Sequence, residues 1–400
     1  MIPARYISLM LTLLMTVGIA GAQSREQREY DSDEVTIGLI TCAPGPEVYE
    51  VYGHTALRVV TPDYDAILNY GTFDFNEPNF LYRFIAGDAD YMLEACPTDY
   101  FLPYYKARGS MVWEQRLNLT PQQKDELLRL VRHNLRPENV HYHYSFILDN
   151  CATRPRDLLE AAVPSLTWGS DTAATATTFR EIIHHYAAHY AWSLFGIDLA
   201  LGWDVDKPID ARQQMFAPLY LKRYTQAAHY TDSLGREVPL VAAPPEVVVN
   251  VGTTDGVVEA PTPWYAHPLT VAIALLLIVA AVSYRDLRRH RLSRWLDTAL
   301  FVLYALGGCI IAFLVVVSSH PATTRNLVAV WLTPLYLYPL VALWLKRGKR
   351  GLRLWAACHG TVIALLLALS PLLPQYVNPA FVPLMLIPIL RYYIIYNHYK

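Results

Sequence analysis

The last third of this 400-residue chain has almost no acidic side chains. After residue 260 the only carboxylates are those of Asp286 and Asp297, although the whole sequence has 35 Asp and Glu residues. A water-soluble domain normally carries charges on about a quarter of its residues. This scarcity excludes an ordinary soluble fold for the C-terminal region and indicates one that lies in a membrane.

An excess of positive charge is also missing. The chain has 33 Lys and Arg residues, and its formal net charge is −2. We find no basic patch interleaved with aromatic residues, which is the usual footprint of a nucleic-acid-binding surface. Nucleic acid is therefore not an expected partner.

The first 22 residues have the pattern of a secretory signal peptide. Arg5 gives a positive start, Ile7–Ile19 is an apolar stretch too short to span a bilayer comfortably, and Ala20–Ala22 is a small-residue cleavage site. An uncleaved anchor helix is the alternative. In both cases the domain that follows is exported.

Residues 23–240 are polar enough to fold in water, and short β-type runs precede helical patterns. Thr120 and Pro121 predict a helix start, because Thr is a good N-cap and Pro is favoured at the first helical position. The expected fold class is α+β, with an antiparallel sheet and helices before and after it. The predicted strands are Thr36–Cys42, Thr55–Val60, Ala66–Tyr70 and Met111–Leu119, and further helices are predicted from near Cys151 and over Phe179–Phe195. The Pro-rich residues 241–265 are expected to form a linker.

Residues 266–400 are expected to form a five-helix transmembrane domain, because they contain five apolar segments near the length of a bilayer core. Lys and Arg crowd the first and third loops between these segments, whereas the second and fourth loops are nearly uncharged. The positive-inside rule therefore puts the soluble domain outside and the C-terminus in the cytoplasm. The five segments are 268–284, 297–317, 326–345, 354–373 and 378–396.

Three cysteines, Cys42, Cys96 and Cys151, lie in the exported part and cannot all pair within one chain. An oxidising compartment leaves one of them free, or all three. We expect Cys151 to be free. Cys42 and Cys96 either form a disulfide or are two further free thiols.

Cys151 lies where an extended stretch ends and a predicted helix begins. The unpaired N–H groups and partial positive charge of a helix N-terminus stabilise a thiolate, which lowers the thiol pKa and creates a nucleophile. The same N–H groups are candidates for an oxyanion hole. The alternative is a buried structural cysteine, which the polar residues around Cys151 disfavour.

A thiol nucleophile needs a base, and His54 is the best candidate because it opens a predicted strand. Asn69 and Tyr70 on the next strand are candidates to orient the imidazole. They point to opposite faces, so only one can reach His54. His184, His185 and His189 are at helical spacing, and His185 and His189 have the i, i+4 spacing of a metal pair. No acidic or cysteine partner completes a ligand set, and we expect no metal or other cofactor.

A strand histidine followed by Asn-Cys at a helix start resembles the permuted papain-like, NlpC/P60-related thiol enzymes. The chain resembles more closely the Lnb-type lipoprotein N-acyltransferases of Gram-negative bacteria, over nearly its whole mature length. The segments that carry this resemblance are Thr41–Val59, Asn69–Phe75, Glu114–Thr120, Asp149–Glu160 and Ser318–Asn326.

The resemblance implies a multi-pass protein of the bacterial inner membrane whose catalytic domain lies in the periplasm. Cys151, activated by His54, would take an acyl chain from a phospholipid as a thioester. The α-amine of a diacylglyceryl-cysteine at a lipoprotein N-terminus would then accept it. The expected partners are the phospholipid donor, the diacylated lipoprotein and the membrane.

A phospholipid donor needs a site for its head group, and Arg side chains bind phosphate well because they present a fork of donors. Asn150, next to Cys151, is a further candidate for substrate contact, and His320 in the second outer loop either lines the acyl path or caps a helix. Arg156 has the alternative of an ion pair with Asp157. The candidate arginines are Arg83, Arg108, Arg154 and Arg156.

Two other functions fit some of these features. A cysteine amidopeptidase acting on cell-wall peptides would use the same Cys/His chemistry, but it would not need five spans. A membrane-tethered binding module would make Cys151 incidental.

Overall fold

The computed structural model describes residues 32–47, 50–73, 78–169, 177–251, 262–345 and 348–400. The predicted signal peptide, residues 1–22, lies outside these ranges. The described part contains a mixed N-terminal domain and a helical C-terminal region, as the sequence predicts.

The N-terminal domain is built on a seven-stranded antiparallel sheet with the strand order β6-β4-β3-β2-β1-β5-β9. A second sheet pairs β7 with β8. The α+β class is confirmed. The strands are β1 Thr36–Cys42, β2 His54–Val60, β3 Asp65–Thr72, β4 Asp90–Pro97, β5 Val112–Arg116, β6 His141–His143, β7 His229–Thr231, β8 Glu237–Pro239 and β9 Glu246–Val249.

Helices cover both faces of the large sheet. On one face, Leu39 and Leu57 belong to a buried core with helix residues such as Leu159. On the other, Ile40 packs with Phe101. Burial on both faces explains why β1 reads as a nearly continuous apolar run. The helices of this domain are α1 Phe80–Ala86, α2 Thr98–Arg108, α3 Pro121–Asn134, α4 Thr153–Ala162, α5 Phe179–Ala187, α6 Ala191–Ala200, α7 Ala211–Gln214 and α8 Pro218–Ala227.

The predicted helix start at Thr120 is confirmed. The Thr120 hydroxyl accepts a hydrogen bond from the Gln123 backbone N–H, and the Gln123 side chain accepts one from the Thr120 N–H. This reciprocal cap satisfies two N–H groups that a helix start leaves without partners.

Two boundaries differ from the prediction. Phe179–Phe195 is not one helix, because α5 ends at Ala187 and α6 begins at Ala191. The linker predicted over 241–265 begins too early, since β9 extends the large sheet by pairing with β5. A strand of four residues is too short to stand out from the surrounding Pro-rich sequence.

Five helical stretches make up the C-terminal region. Three of them, Pro268–Arg289, Arg294–Val316 and Lys349–Leu372, are long and apolar enough to cross a membrane. The third predicted span, 326–345, is interrupted by a 3-10 turn at Pro334–Tyr336, where proline has no N–H to continue a helix. The helices are α9 Pro268–Arg289, α10 Arg294–Val316, α11 Val328–Trp331, α12 Leu337–Trp344, α13 Lys349–Leu369 and α14 Phe381–His398.

Arg391 of α14 is fully buried and pairs with both carboxylates of this region. Its guanidinium lies 2.7 Å from Asp297 and 3.1 Å from Asp286, and it also donates to the Ser283 hydroxyl. A charge among apolar helices is tolerated only with such partners. The two acids that interrupt the apolar sequence therefore share one cation.

The two parts of the chain meet through buried polar contacts. Asn378 donates to the Asp198 carboxylate (2.8 Å), and Gln375 donates to the Leu201 carbonyl (3.1 Å). Asn326 donates to the Leu199 carbonyl (2.8 Å). The loops of the C-terminal region that touch the N-terminal domain are thus the second and fourth, the two with little charge.

Replacing Arg391 by leucine should destabilise the C-terminal region by about 3–5 kcal/mol, because two buried carboxylates lose their partner. Thermal unfolding in detergent micelles would measure this. Arg289→Leu, at an exposed position at the end of α9, is the matched control and should change stability little. Equal melting temperatures for the two variants would contradict this account of the ion pair.

Candidate active site

Asn150 holds the turn that presents Cys151. Its side-chain oxygen accepts hydrogen bonds from the backbone N–H groups of Ala152 (2.8 Å) and Thr153 (2.9 Å). Its amide nitrogen donates to the carbonyls of Phe146 (2.6 Å) and Phe216 (3.0 Å). Asn150 is buried, and its hydrogen bonds are all made within the protein. The prediction that it contacts the substrate is therefore corrected: Asn150 positions Cys151.

The Cys151 sulfur faces the start of β2. The backbone N–H groups of Thr55 and of Cys151 itself lie close enough to the sulfur to lower its pKa. Thr55 directly follows His54, so the thiol and the imidazole lie at the same end of β2. The N–H groups of Ala152 and Thr153 are taken by Asn150, which leaves those of Cys151 and Thr55 as the donors at the sulfur.

Asn69 orients the His54 ring. Nε2 of His54 lies 2.5 Å from Oδ1 of Asn69, on the neighbouring strand β3. An amide oxygen can only accept, so Nε2 carries the ring proton and Nδ1 has the free lone pair. A neutral imidazole in this tautomer can take a proton through Nδ1.

Tyr70 points to the opposite face of the sheet. Its hydroxyl accepts a hydrogen bond from Asn134 (2.9 Å), and its ring is part of the core beneath α3 and α4. Of the two candidates to orient His54, the structure supports Asn69, and the expectation for Tyr70 is corrected.

The pKa values of the pair describe a neutral thiol and a neutral imidazole. Burial raises the pKa of Cys151 to about 11, although the two N–H groups at the sulfur act against this rise. Burial lowers the pKa of His54 to about 4, with a smaller contribution from the charge of Arg108, and the hydrogen bond that His54 donates to Asn69 opposes this fall. The predicted lowering of the Cys151 pKa is therefore wrong for the folded protein. The loss of solvation raises this pKa more than the helix N-terminus lowers it.

Two of the four candidate arginines are buried and bound within the protein. Arg108 lies 3.0 Å from the Glu50 carboxylate and stacks over the Tyr105 ring at 4.3 Å. Arg156 pairs with Asp157 (2.7 Å) and donates to the Arg212 carbonyl (2.8 Å). Neither guanidinium can present its fork to a lipid head group, and both expectations are corrected.

The other two arginines are partly exposed. Arg154 pairs with Asp149 and lies over the Tyr142 ring at 4.0 Å. Arg83 on α1 pairs with Asp90 at 2.7 Å. A phosphate group would have to compete with these carboxylates, so a head-group role for Arg83 and Arg154 stays a prediction.

His320 lies where the two parts of the chain meet. Its Nε2 is 2.8 Å from the Phe84 carbonyl, so it joins the loop after α10 to α1. Phe84 is in the last turn of α1, so this contact fits the helix-capping alternative. A place along the acyl path stays a prediction.

Cys42 and Cys96 are both free thiols. They lie on β1 and β4, which are separated by β2 and β3, so a strand spacing of about 4.8 Å puts them at least roughly 14 Å apart. A disulfide requires Cα atoms within about 7 Å. Cys42 instead pairs across the sheet with His54, a neighbour that the sequence did not reveal.

Gly71 and Tyr144 complete the surroundings of Cys151, and neither was predicted. Gly71 has φ +92°, and a Cβ built on it would lie 3.7 Å from Cys151 Cβ and from a Tyr144 ring carbon. These distances are ordinary van der Waals contacts, so it is the positive φ, rather than lack of space, that favours glycine at this position. The sequence Asn69-Tyr70-Gly71 was the signal from which a turn-like backbone at the end of β3 could have been predicted.

No group of three His, Cys, Asp or Glu residues that could hold a metal occurs in the described ranges. His184, the metal candidate considered from the sequence, instead contacts the Asp198 carboxylate at 2.8 Å.

Comparison with protein families gives two matches. Residues 22–185 match the family model described as the Lnb N-terminal periplasmic domain, and residues 260–400 match the Lnb transmembrane domain. No curated protein and no solved structure matched the chain. The protein is thus a membrane protein with a periplasmic portion. It belongs to the Lnb-type lipoprotein N-acyltransferases.

The neutral pair predicts how Cys151 reacts with iodoacetamide. Because only the thiolate reacts, and the pKa is about 11, labelling of folded protein should be slow at pH 7 and rise with pH up to about 11. Mass spectrometry of the Cys151 peptide would measure the rate. Urea-unfolded protein is the control, and it should react faster at pH 8. Fast, pH-independent labelling between pH 5 and 8 would indicate a thiolate–imidazolium pair and contradict this description.

Proposed function

We propose that this protein transfers an acyl chain from a phospholipid, through a thioester on Cys151, to the α-amine of a diacylglyceryl-cysteine at a lipoprotein N-terminus. One observation carries this proposal. The thiol lies against the backbone N–H next to His54, and the His54 ring is held by Asn69 in the tautomer that accepts a proton.

In the first half-reaction, the Cys151 sulfur attacks the ester carbonyl of the donor while Nδ1 of His54 takes the thiol proton. This transfer avoids a free thiolate, which burial disfavours. The N–H groups of Cys151 and Thr55 are the candidates to stabilise the tetrahedral oxyanion. When the intermediate collapses, the C–O ester bond breaks, and the lysophospholipid oxygen takes the proton from His54.

In the second half-reaction, the unprotonated lipoprotein amine attacks the thioester carbonyl. His54 takes a proton from the attacking nitrogen and returns it to the sulfur as the C–S bond breaks. The products are an amide on the lipoprotein and the free Cys151 thiol. Both steps use the same base, as is usual for covalent catalysis with two substrates.

Burial of the site favours transfer over hydrolysis. Cys151 is only 9% exposed, so water has little access to a thioester formed there. The substrates must therefore reach the sulfur from a surface that itself excludes water. A lipid bilayer provides such a surface, whereas a soluble cell-wall peptide would need an open groove.

The contacts between the two parts of the chain support a site at the outer surface of the inner membrane. The loops with little charge touch the N-terminal domain, and the loops rich in Arg and Lys lie at the other ends of the helices. This matches the positive-inside rule with the C-terminus in the cytoplasm.

Cys151→Ala should abolish acyl transfer, which purified protein in liposomes with phospholipid and a diacylated lipopeptide would test. Mass spectrometry would follow both the acyl-enzyme and the triacylated product. Cys96→Ala, which removes another exported thiol, is the control and should have little effect. Wild-type protein that forms neither species would contradict the proposal. Muropeptide cleavage by the wild type that is lost in Cys151→Ala would instead indicate an amidopeptidase. Wild-type protein with neither activity would indicate a binding module.

His54→Ala should lower the rate of acyl transfer by about 10²–10⁴-fold, the usual contribution of a general base. Asn69→Ala should lower it less, because the base is present but its ring is no longer oriented. Tyr70→Phe is the matched control on the adjacent residue and should leave the rate nearly unchanged. A larger loss for Tyr70→Phe than for Asn69→Ala would reverse the assignment of the orienting residue.

A further inference from the structure

Helix α1 exposes an unusual share of apolar side chains. Four of its seven residues are large, apolar and exposed. Soluble surfaces rarely group such residues, and a patch of this kind usually marks a binding surface. The residues are Leu81 (69% exposed), Tyr82, Phe84 and Ile85.

The position of α1 indicates what covers this patch. The Ser319 backbone N–H donates to the Ala86 carbonyl (2.8 Å), and the Tyr82 ring lies 6.0 Å from the Phe313 ring. Phe313 is in the last turn of α10, one of the three helices able to cross a membrane, and Ser319 follows three residues after its end. Helix α1 therefore lies at the level where α10 leaves the bilayer, on the side of the periplasmic domain.

An unbroken row of aromatic rings runs from α1 to Cys151. The ring centroids are 6.1 Å, 5.3 Å, 5.0 Å and 4.2 Å apart along the row. The last ring, that of Tyr144, lies beside Gly71 and Cys151. In order from the membrane, the rings are those of Phe84, Phe80, Phe73, Tyr91 and Tyr144.

We propose that α1 dips into the outer leaflet and that this aromatic row is the binding site for the acyl chain of the donor lipid. The inference rests on the proposed function, which it extends by naming the route of the substrate. The chain moves from hydrocarbon along apolar ring faces, so it is not transferred into water. Its ester carbonyl reaches the sulfur at the buried end of the row.

Leu81→Glu tests the membrane end of the row, and Leu234→Glu is the matched control. Leu234 is equally exposed (73%) but lies in the turn between β7 and β8, away from the row. Each variant in liposomes would be given a long-chain phospholipid or p-nitrophenyl butyrate, a short ester that needs no lipid contact. Acylation of Cys151 would be followed by intact mass.

Leu81→Glu should lower the ratio of long-chain to short-chain acylation by at least about tenfold, because a carboxylate is disfavoured among lipid chains. Leu234→Glu should leave the ratio unchanged. Equal ratios in the two variants would overturn the proposal. If wild-type protein is acylated by neither ester, the proposed function fails, and a second measurement decides the inference.

That second measurement needs no catalysis. A photo-cross-linking amino acid would replace Leu81 or Leu234 in full-length protein that also carries Cys151→Ala, in liposomes of defined phospholipid. Cross-links to phospholipid from position 81 and not from position 234 would support the lipid-facing role of α1. Equal or absent cross-linking at position 81 would refute it.

Discussion

The buried carboxylate of Asp198 joins the two halves of the protein. It is fully buried, pairs with Arg180 (2.7 Å) and His184 (2.8 Å) of α5, and accepts a hydrogen bond from Asn378 before α14. A buried charge is tolerated only when its partners are all in place. Docking of the periplasmic domain on the outer loops completes this set. The docking of the N-terminal domain on the C-terminal region therefore depends in part on the electrostatics of this side chain.

Burial of the Cys151 site lowers the reactivity of its side chains and also limits the access of water. Burial keeps both the thiol of Cys151 and the imidazole of His54 neutral, which opposes nucleophilic attack in the resting state. The same burial excludes water from any acyl-enzyme. The proposed transfer of a thioester to an amine would gain from this arrangement, because water has little access to the sulfur.

Local signals in the sequence predicted most of the scaffold. The short β-type runs of β1 to β3, the Thr120 cap and the helix after Cys151 each depend on neighbouring residues and were found. The choice between Asn69 and Tyr70 depended on strand register, because the pairing of Leu57 with Leu68 puts Asn69 on the face of His54.

Features that depend on distant partners could not be predicted in the same way. The partner of Arg108 is Glu50, and that of Arg156 includes the Arg212 carbonyl, both remote in the chain. The prediction of a lowered Cys151 pKa was wrong for the same reason, since the burial that raises this pKa is set by the packing of the whole domain. The row of aromatic rings from α1 to Cys151 likewise could be recognised only in the three-dimensional structure, because its rings come from separate segments of the chain.

The Arg391 ion pair also constrains how the protein is made. Its two acidic partners are synthesised about a hundred residues earlier, on the first two spanning helices. Until ribosomal synthesis reaches α14, Asp286 and Asp297 lack the guanidinium that they hold in the folded protein, and α14 alone carries a cation without its carboxylates. The packing of α9 and α10 is therefore complete only when the last helix has joined them.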